Sequence, residues 1–136
     1  MNKQLLPLFD TLNQIHLNEE HVCLPSDNCL KDFQKCLLFL KSYSGSLGTF
    51  NSYRRETERL LQWCWHIKGT TLKDIKRDDI ETFVRFCQNP PKSWISTKKV
   101  PKFKLVDGLR QPNPDWRPFV VQLSKSDIKK GEEASI

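Results

Sequence analysis

The stretch that decides the fold runs from Ser46 to Gln88 and is "SLGTFNSYRRETERLLQWCWHIKGTTLKDIKRDDIETFVRFCQ". In its first part, apolar or semi-apolar residues recur at spacings of three and four, which places them on one face of a helix. They are Phe50, Tyr53, Thr57, Leu60, Leu61, Cys64 and Ile67. Thr49 stands where an N-cap belongs, and Gly69 stands where a left-handed residue would close the helix. The pattern predicts an amphipathic helix over this part of the chain.

The second part of the stretch predicts another amphipathic helix. Asp78 and Asp79 place negative charge in a first turn, where the helix dipole favours it, so the helix is expected to begin near Arg77 or Asp78. Its buried stripe is predicted to be Ile80, Phe83, Val84 and Cys87. Asn89, Pro90 and Pro91 would end it because proline cannot donate the next hydrogen bond. The short turn between the two helices is expected to point Leu72 and Ile75 inward.

A third helix is predicted upstream, in "SDNCLKDFQKCLLFLKSYSGS". Ser26 or Asp27 would cap it, and Gly45 would end it. Its stripe is expected to contain Leu30, Phe33, Leu37 and Leu40. Residues 3 to 16 show a weaker helical pattern that Pro7 interrupts. The expected fold class is therefore all-α.

The order of these residues resembles a known family. A threonine, a tyrosine four positions later, an arginine, a Leu-Leu-x-Trp ending and the segment "LKDIKRDDIETFVRF" are similar to the start of the core-binding domain of tyrosine recombinases, the phage integrase family. The matching residues are Thr49, Tyr53, Arg54, Leu60, Leu61, Trp63, Leu72, Asp74, Ile75, Ile80 and Phe83. Further on, "PPKSWI" and "PNPDWRPF" resemble a spacer found in some bacterial integrases. The similarity spans roughly Leu24 to Phe119.

The resemblance implies a partial core-binding domain, a small SAM-like helical bundle with an irregular extension rich in proline and lysine. Four regions are expected: a weakly helical segment (1–24), the helical domain (25–89), a basic spacer (90–123) and a polar tail (124–136). Such a module clamps double-stranded recombination-site DNA, together with other recombinase protomers, while a separate domain catalyses integration or recombination. We expect that catalytic domain to be missing from this chain, which would make it an amino-terminal fragment or the product of a truncated reading frame, and we assign it no catalytic residue.

Charge supports a nucleic-acid partner. Residues 1 to 88 have a balance of +1, whereas residues 89 to 136 have a balance of +5. Lysines on an extended segment can neutralise phosphates, and hydroxyls, amides and free backbone amides at a helix start can also bind them. The predicted DNA-binding residues are Thr49, Asn51, Ser52, Arg54, Arg55, Arg59, Lys92, Lys98, Lys99, Lys102 and Lys104. Arg55 and Arg59 are expected to share a cationic ridge on the first helix of the deciding stretch.

Several alternatives stay open at this point. The lysines of the spacer could form an ordinary solvated loop, and the arginines could pair with Glu56 and Glu58. The main rival function is a small helical protein-interaction module whose basic surface is incidental. A nonfunctional remnant of a mobile element is a third. In "NPDWRPF", Trp116 and Phe119 are expected to anchor a turn while Arg117 stays at the surface.

The composition limits the size of the core and the kinds of protein and site that the chain could form. The chain has 136 residues, of which 38% are hydrophobic, and a mean hydropathy of −0.58, so a single small core is expected. No apolar run has the length of a membrane span, and a cytoplasmic protein of bacterial or phage origin is the simplest inference. The five cysteines include no CxxC pair and are expected to be reduced thiols. A zinc site at His21, Cys23, Cys29 and Cys36 is disfavoured by its spacing. No cofactor, metal or small-molecule substrate is predicted.

Overall fold

The computed structural model describes residues 5–121. Its helices are α1 (Asn18–His21), α2 (Leu30–Lys41), α3 (Leu47–Trp63) and α4 (Arg77–Gln88), and α3 continues through a π-helical turn at Cys64–Lys68. Short 3-10 turns occur at Ile15–Leu17, Asp27–Cys29, Leu72–Asp74 and Lys92–Trp94. The strands are β1 (Ile95–Ser96), β2 (Phe103–Val106), β3 (Leu109–Pro112) and β4 (Phe119–Val120).

The prediction of an all-α fold with an irregular extension is wrong, because the spacer contains all four strands. β2 and β3 form an antiparallel hairpin in which Phe103 pairs with Pro112 and Val106 with Leu109. β1 and β4 form a short parallel pair with Ile95 opposite Phe119. The protein is therefore a mixed α/β structure in which strands pack beside the helices.

The hairpin turn has a sequence signal that the helical interpretation missed. Asp107 and Gly108 both have positive φ, 53° and 80°, as a two-residue type I′ turn requires, and Asp-Gly between apolar residues is a strong hairpin signal. Because proline and lysine surround this dipeptide, the segment was expected to be irregular. Tertiary pairing of four residues on each side of the turn outweighs that local composition.

The larger apolar core forms where α2 and α3 cross the N-terminal segment. Phe33, Leu37 and Leu40 of α2 are buried as predicted, whereas Leu30 is exposed. The buried cluster consists of Leu8, Phe9, Ile15, Phe33, Leu37, Leu40, Phe50 and Leu61. The weak helical pattern in residues 3 to 16 is not realised as a long helix, because within the described residues the first helical turn begins at Ile15. Leu8 and Phe9 instead fill the core from a segment without regular secondary structure.

A second, smaller core joins the end of α3 to α4 and to the short parallel strands. Trp63, Cys64, Trp94 and Phe119 are its buried members, so the predicted anchoring role of Phe119 agrees with its burial. Phe83 and Cys87 of α4 pack against it together with Phe86. The predicted α4 stripe is partly wrong, since Ile80 and Val84 are exposed. The side of α4 that faces the core includes Phe86 in place of Ile80 and Val84. The ring of Phe86 packs there against the rings of Trp94 and Phe119.

The helix boundaries agree in part with the predictions. α4 begins at Arg77 and ends at Gln88, as expected, and Gly69 has a left-handed φ of 75° after the π turn. α3 begins at Leu47, two residues before the predicted Thr49 cap, with Ser46 in the N-cap position. Within residues 5–121, no helix has the length and apolarity needed to cross a membrane.

Candidate nucleic-acid interface

The first half of α3 presents a small polar surface to solvent. Ser52 and Arg55 are exposed, and Asn51 is half-buried. Asn51 lies four residues before Arg55 and Ser52 lies three before it, so all three share one side of the helix. The Arg55 side chain is 57% exposed and its Nε lies 3.4 Å from Oε1 of Glu56. An ion pair this exposed has little energetic weight, so the Arg55 guanidinium is available to an external anion.

Thr49 lies at the edge of this surface. Its Oγ1 accepts a hydrogen bond from the Ser46 hydroxyl at 3.0 Å, and Thr49 is half-buried in the first turn of α3. Thr49 is therefore inside the first turn of α3 instead of capping it. Its hydroxyl keeps a hydrogen to donate.

Arg54 points into the protein. Its guanidinium carbon lies 5.8 Å from the ring centroid of Phe50, and its Nη1 is buried with no hydrogen-bond partner in the described part of the chain. Burial lowers the pKa of Arg54, while the nearby carboxylates of Glu58 and Asp10 act in the opposite direction. An external phosphate would have to displace this packing to reach it.

The Arg59 side chain also makes contacts within the protein. Its Nε donates to the carbonyl oxygen of Pro118 at 3.0 Å, and its guanidinium carbon lies 4.2 Å from the ring centroid of Phe119. Its side chain is only 18% exposed, against 57% for Arg55. Burial, as the largest influence, lowers the pKa of Arg59. Arg59 thus attaches α3 to the segment before β4, and the predicted Arg55–Arg59 ridge has one accessible member.

Lys102 forms a buried ion pair with Glu58. The Lys102 ammonium donates to Oε1 of Glu58, and the Glu58 carboxylate also accepts from the backbone amides of Leu8 and Phe9. Burial lowers the pKa of Lys102 to about 8, although the negative charge of Glu58 raises it. This lysine was predicted to bind phosphate, but its geometry makes it an internal partner that connects the strand region to α3.

A second buried carboxylate, Asp10, was missed by the sequence analysis. Arg110 of β3 donates to it from Nε at 2.5 Å and from Nη2 at 2.6 Å, and Nε2 of His21 lies 2.8 Å from its Oδ2. The two partners are separated from Asp10 by 100 and 11 positions. An isolated aspartate in a weak helical pattern gives no signal of such a contact.

The remaining predicted lysines lie at the surface of the strand region. Lys98, Lys99 and Lys104 are exposed, and Lys92 is exposed in the turn before β1. Lys104 lies two residues beyond Lys102, which contacts Glu58, so this end of the hairpin is close to α3. The exposed cations of the two regions therefore belong to one packed unit.

No group of histidine, cysteine and carboxylate side chains that could hold a metal ion occurs among residues 5–121. Cys23 is exposed, Cys29 and Cys64 are buried, and all five cysteines are free thiols. Comparison of the chain with protein-family models, with curated proteins and with solved structures finds no match. The resemblance to tyrosine recombinases therefore depends on the residues and spacings themselves.

Proposed function

We propose that this protein is a module that binds double-stranded DNA and forms the amino-terminal part of a tyrosine recombinase. One observation carries the proposal: Ser52 and Arg55 are exposed side by side on α3, a helix that is fixed from beneath by buried Phe50 and Leu61. A guanidinium and a hydroxyl on a rigid helix can both donate hydrogen bonds to phosphate oxygens. Asn51 supplies an amide that is suited to a base edge or a phosphate.

The exposed lysines of the strand region would supply further positive charge for DNA. Lys98, Lys99 and Lys104 are point charges on a segment that is held against α3 by buried contacts. Lysines of this kind give affinity that is independent of DNA sequence and falls steeply as salt rises. Arg54, Arg59 and Lys102 lie outside the proposed surface, because each is engaged inside the protein.

The recombinase part of the proposal comes from the family resemblance. The catalytic tyrosine and its assisting residues would be supplied by another domain, and other recombinase protomers would share the DNA. The compartment consistent with this function is the bacterial cytoplasm, where the free thiols of this chain would stay reduced.

A protein-interaction module is the second candidate, and exposed apolar side chains favour it. Leu38 and Leu47 are 72% and 60% exposed, and Ile80 and Val84 leave one side of α4 uncovered. Exposed apolar groups that lie together mark interaction surfaces. Such binding would depend little on salt, whereas DNA binding would depend on it strongly.

The test is fluorescence anisotropy of a labelled random-sequence duplex of about 25 base pairs, titrated with the full chain at several salt concentrations. We expect saturable binding at about 50 mM salt, with a logarithm of affinity that falls linearly with the logarithm of salt. Charge reversal at Arg55, Lys98 and Lys99 together should weaken binding at least tenfold.

The matched control reverses three exposed cations on or beside α4: Lys73→Glu, Arg77→Glu and Arg85→Glu. It makes the same change in net charge at a different place. Equal losses in the two triple variants would show that only net charge matters, and a wild-type chain that does not retain duplex at about 50 mM salt would contradict the proposed function.

A further inference from the structure

A cavity of about 760 Å³ lies between the start of α2 and the turn that follows α3. One wall is formed by residues within the segment 25–35, and the other by Trp65 and residues within the segment 69–74. The volume falls within the range of about 300–1,000 Å³ that is typical of small-molecule sites. Charged, hydroxyl and amide side chains form most of the two walls, so a ligand of this size would have to be polar.

The carboxylate of Asp32 lies in the first wall with one of its oxygens unused. Asp32 is only 6% exposed, and its Oδ2 accepts hydrogen bonds from Nε1 of Trp65 and from the backbone amide of Leu72, both at 3.0 Å. Its Oδ1 makes no hydrogen bond or ion pair with a described residue and is not enclosed by protein atoms. A carboxylate buried this deeply is costly unless hydrogen bonds satisfy it. Oδ1 is therefore placed to accept from an N–H group that a ligand supplies.

Three cations surround the same cavity. Lys31 and Lys35 lie one helical turn apart on α2, and Lys73 lies on the other wall. All three are exposed, and none makes a hydrogen bond or ion pair with a described residue, although Asp27 and Asp74 line the cavity too. An ammonium group binds phosphate as a compact point charge with three donors. These lysines can therefore bind a phosphate group without breaking an existing ion pair.

Trp65 adds an aromatic surface beside Asp32. The tryptophan is half-buried, and its hydrogen bond to Asp32, 33 positions away in the sequence, fixes the orientation of its ring. A ring of this kind can pack against the face of an aromatic base. Ser26, Asn28 and Thr71 add hydroxyl and amide groups that can bond a sugar. An acceptor, an aromatic ring and a group of cations thus meet around one space.

We infer that this cavity binds a free nucleoside phosphate whose base carries an amino group, as adenine and cytosine do. The amino group donates to Oδ1 of Asp32, and the base contacts the ring of Trp65. The phosphates contact Lys31, Lys35 and Lys73. Because Oδ1 alone is unused, a single amino group matches it better than the two adjacent N–H donors of guanine. The inference goes beyond the proposed function and shares no residue with the proposed DNA surface.

Isothermal titration calorimetry of the full chain with adenosine diphosphate tests the inference. We expect saturable binding with a Kd below about 1 mM. Inosine diphosphate presents a carbonyl oxygen where adenosine diphosphate has its amino group. It should bind at least tenfold more weakly, because two acceptors would then face each other. Absence of adenosine diphosphate binding up to about 1 mM, or equal binding of the two nucleotides, would overturn the inference.

Asp32→Asn should reverse this preference. The asparagine oxygen can keep the bonds from Trp65 and Leu72 while its NH2 group takes the place of the unused oxygen. The variant should bind inosine diphosphate at least fivefold more tightly than adenosine diphosphate, because its amide donates to the carbonyl oxygen. Loss of folding cannot produce such a reversal. A retained preference for adenosine diphosphate would contradict the contact between Asp32 and the base.

The lysines are tested by variants that leave the buried groups untouched. Lys31→Gln and Lys35→Gln, made separately, each remove one charge from the cavity, and Lys41→Gln removes one from an exposed position of the same helix outside it. Each cavity variant should weaken the binding of adenosine diphosphate about fivefold or more. Lys41→Gln should weaken it less than about twofold, since only screened long-range charge changes. Equal effects of the three variants would overturn the phosphate contact, whether or not Asp32→Asn folds.

Competition separates a free nucleotide from nucleic acid as the ligand. Single-stranded oligoadenylate carries the same base and phosphate groups in a polymer, and at an equal concentration of nucleotides it should displace little adenosine diphosphate, because Asp32 is recessed. Full displacement by the oligonucleotide would overturn the inference of a free nucleotide. The labelled duplex should stay bound when adenosine diphosphate is added, since the two surfaces are separate. A wild-type chain that binds the nucleotide but no duplex would contradict the proposed function alone.

Discussion

The α2–α3 pair and the β2–β3 hairpin both contact the irregular segment before Ile15, but adjacent residues of that segment make the two contacts by different chemistry. Phe9 stacks on Phe33 of α2, with ring centroids 5.3 Å apart and an interplanar angle of 7°. Asp10, the next residue, accepts two hydrogen bonds from Arg110 of β3. One contact is apolar and the other is a buried ion pair.

The two kinds of contact have different roles: apolar burial stabilises the protein, and buried ion pairs fix the positions of its parts. Burial of apolar surface is non-directional and supplies most of the folding free energy. A buried ion pair loses hydration on both sides, so its net contribution is small, but leaving one partner alone is costly. The helices are therefore stabilised mainly by burial of apolar surface. The position of the strand region relative to them is fixed by two buried ion pairs, Asp10–Arg110 and Glu58–Lys102.

The largest expected effect tests the apolar side of the comparison. Phe33→Ala should lower the free energy of unfolding by about 4 kcal/mol, because it deletes a fully buried ring and leaves a cavity. Urea denaturation followed by circular dichroism measures it. Phe39→Ala removes the same ring from an exposed position of the same helix and should cost less than about 1.5 kcal/mol. Similar losses in the two variants would contradict the assignment of the core.

The next effect tests the charged side. Glu58→Gln keeps the shape of the side chain but leaves the Lys102 ammonium without its counter-charge, and we expect a loss of about 3 kcal/mol in the same denaturation experiment. Glu56→Gln is the matched control, since Glu56 carries an exposed ion pair with 54% of its side chain accessible, and it should change stability by less than about 0.5 kcal/mol.

A double variant sharpens this result. The double variant combines Glu58→Gln with Lys102→Met. It should recover at least half of the stability that Glu58→Gln alone loses, because the Lys102 ammonium is then no longer buried without its counter-charge. Additive losses would mean that Lys102 and Glu58 do not act as a pair.

The apolar core was the part of the fold that the sequence could predict. Phe33, Leu37 and Leu40 are spaced by four and three, and this spacing alone identifies the buried face of α2. The π turn and left-handed Gly69 closed α3 near the predicted place. These features are local, so periodicity and glycine conformation were enough to find them.

The strand region could not be predicted in the same way, because its determinants are distant in the sequence. Lys102 and Arg59 have the spacing and charge of DNA-binding residues, yet their partners, Glu58 and the Pro118 carbonyl, are brought near only by the fold. The Asp107–Gly108 turn was the one local signal of the hairpin. Of the predicted site, Arg55 and Lys98 stay at the surface, and neither side chain has a long-range hydrogen bond or ion pair among the described residues.

Lowering the pH should destabilise the attachment of the β2–β3 hairpin more than the packing of α2 and α3. Burial raises the pKa of Asp10, but the hydrogen bonds from Arg110, the Thr11 amide and His21, together with the charge of Arg110, outweigh it, so the net pKa lies below the ordinary value of 3.8. The native state therefore binds fewer protons here than the unfolded state, and the stabilisation is present above about pH 4 and is lost as the pH falls through the native pKa.

Hydrogen exchange measures this separation amide by amide. Between pH 6 and about pH 3, the protection factors of β2 and β3 should fall more than those of the buried half of α3 around Leu61. Asp10→Asn cannot titrate at this site, so its hairpin should be poorly protected at both pH values. An equal fall in both regions of the wild type would show that Asp10–Arg110 does not control hairpin attachment.

The smallest effect tests the hairpin alone. Gly108 has φ of +80° with no atom within 4 Å of where a Cβ would lie, so Gly108→Ala costs only the strain of a left-handed backbone, about 1 kcal/mol. Gly45→Ala is the control, because its site is equally open and its φ is not positive; it should be neutral or slightly stabilising. Because buried apolar surface stabilises the helices and the hairpin contributes little to them, Gly108→Ala should increase hydrogen exchange in β2 and β3. The exchange of the α2 amides should stay unchanged. A matching increase in α2 would mean that the two regions open as one cooperative unit. They would then differ in the type of contact that they make but not in their stability against local opening.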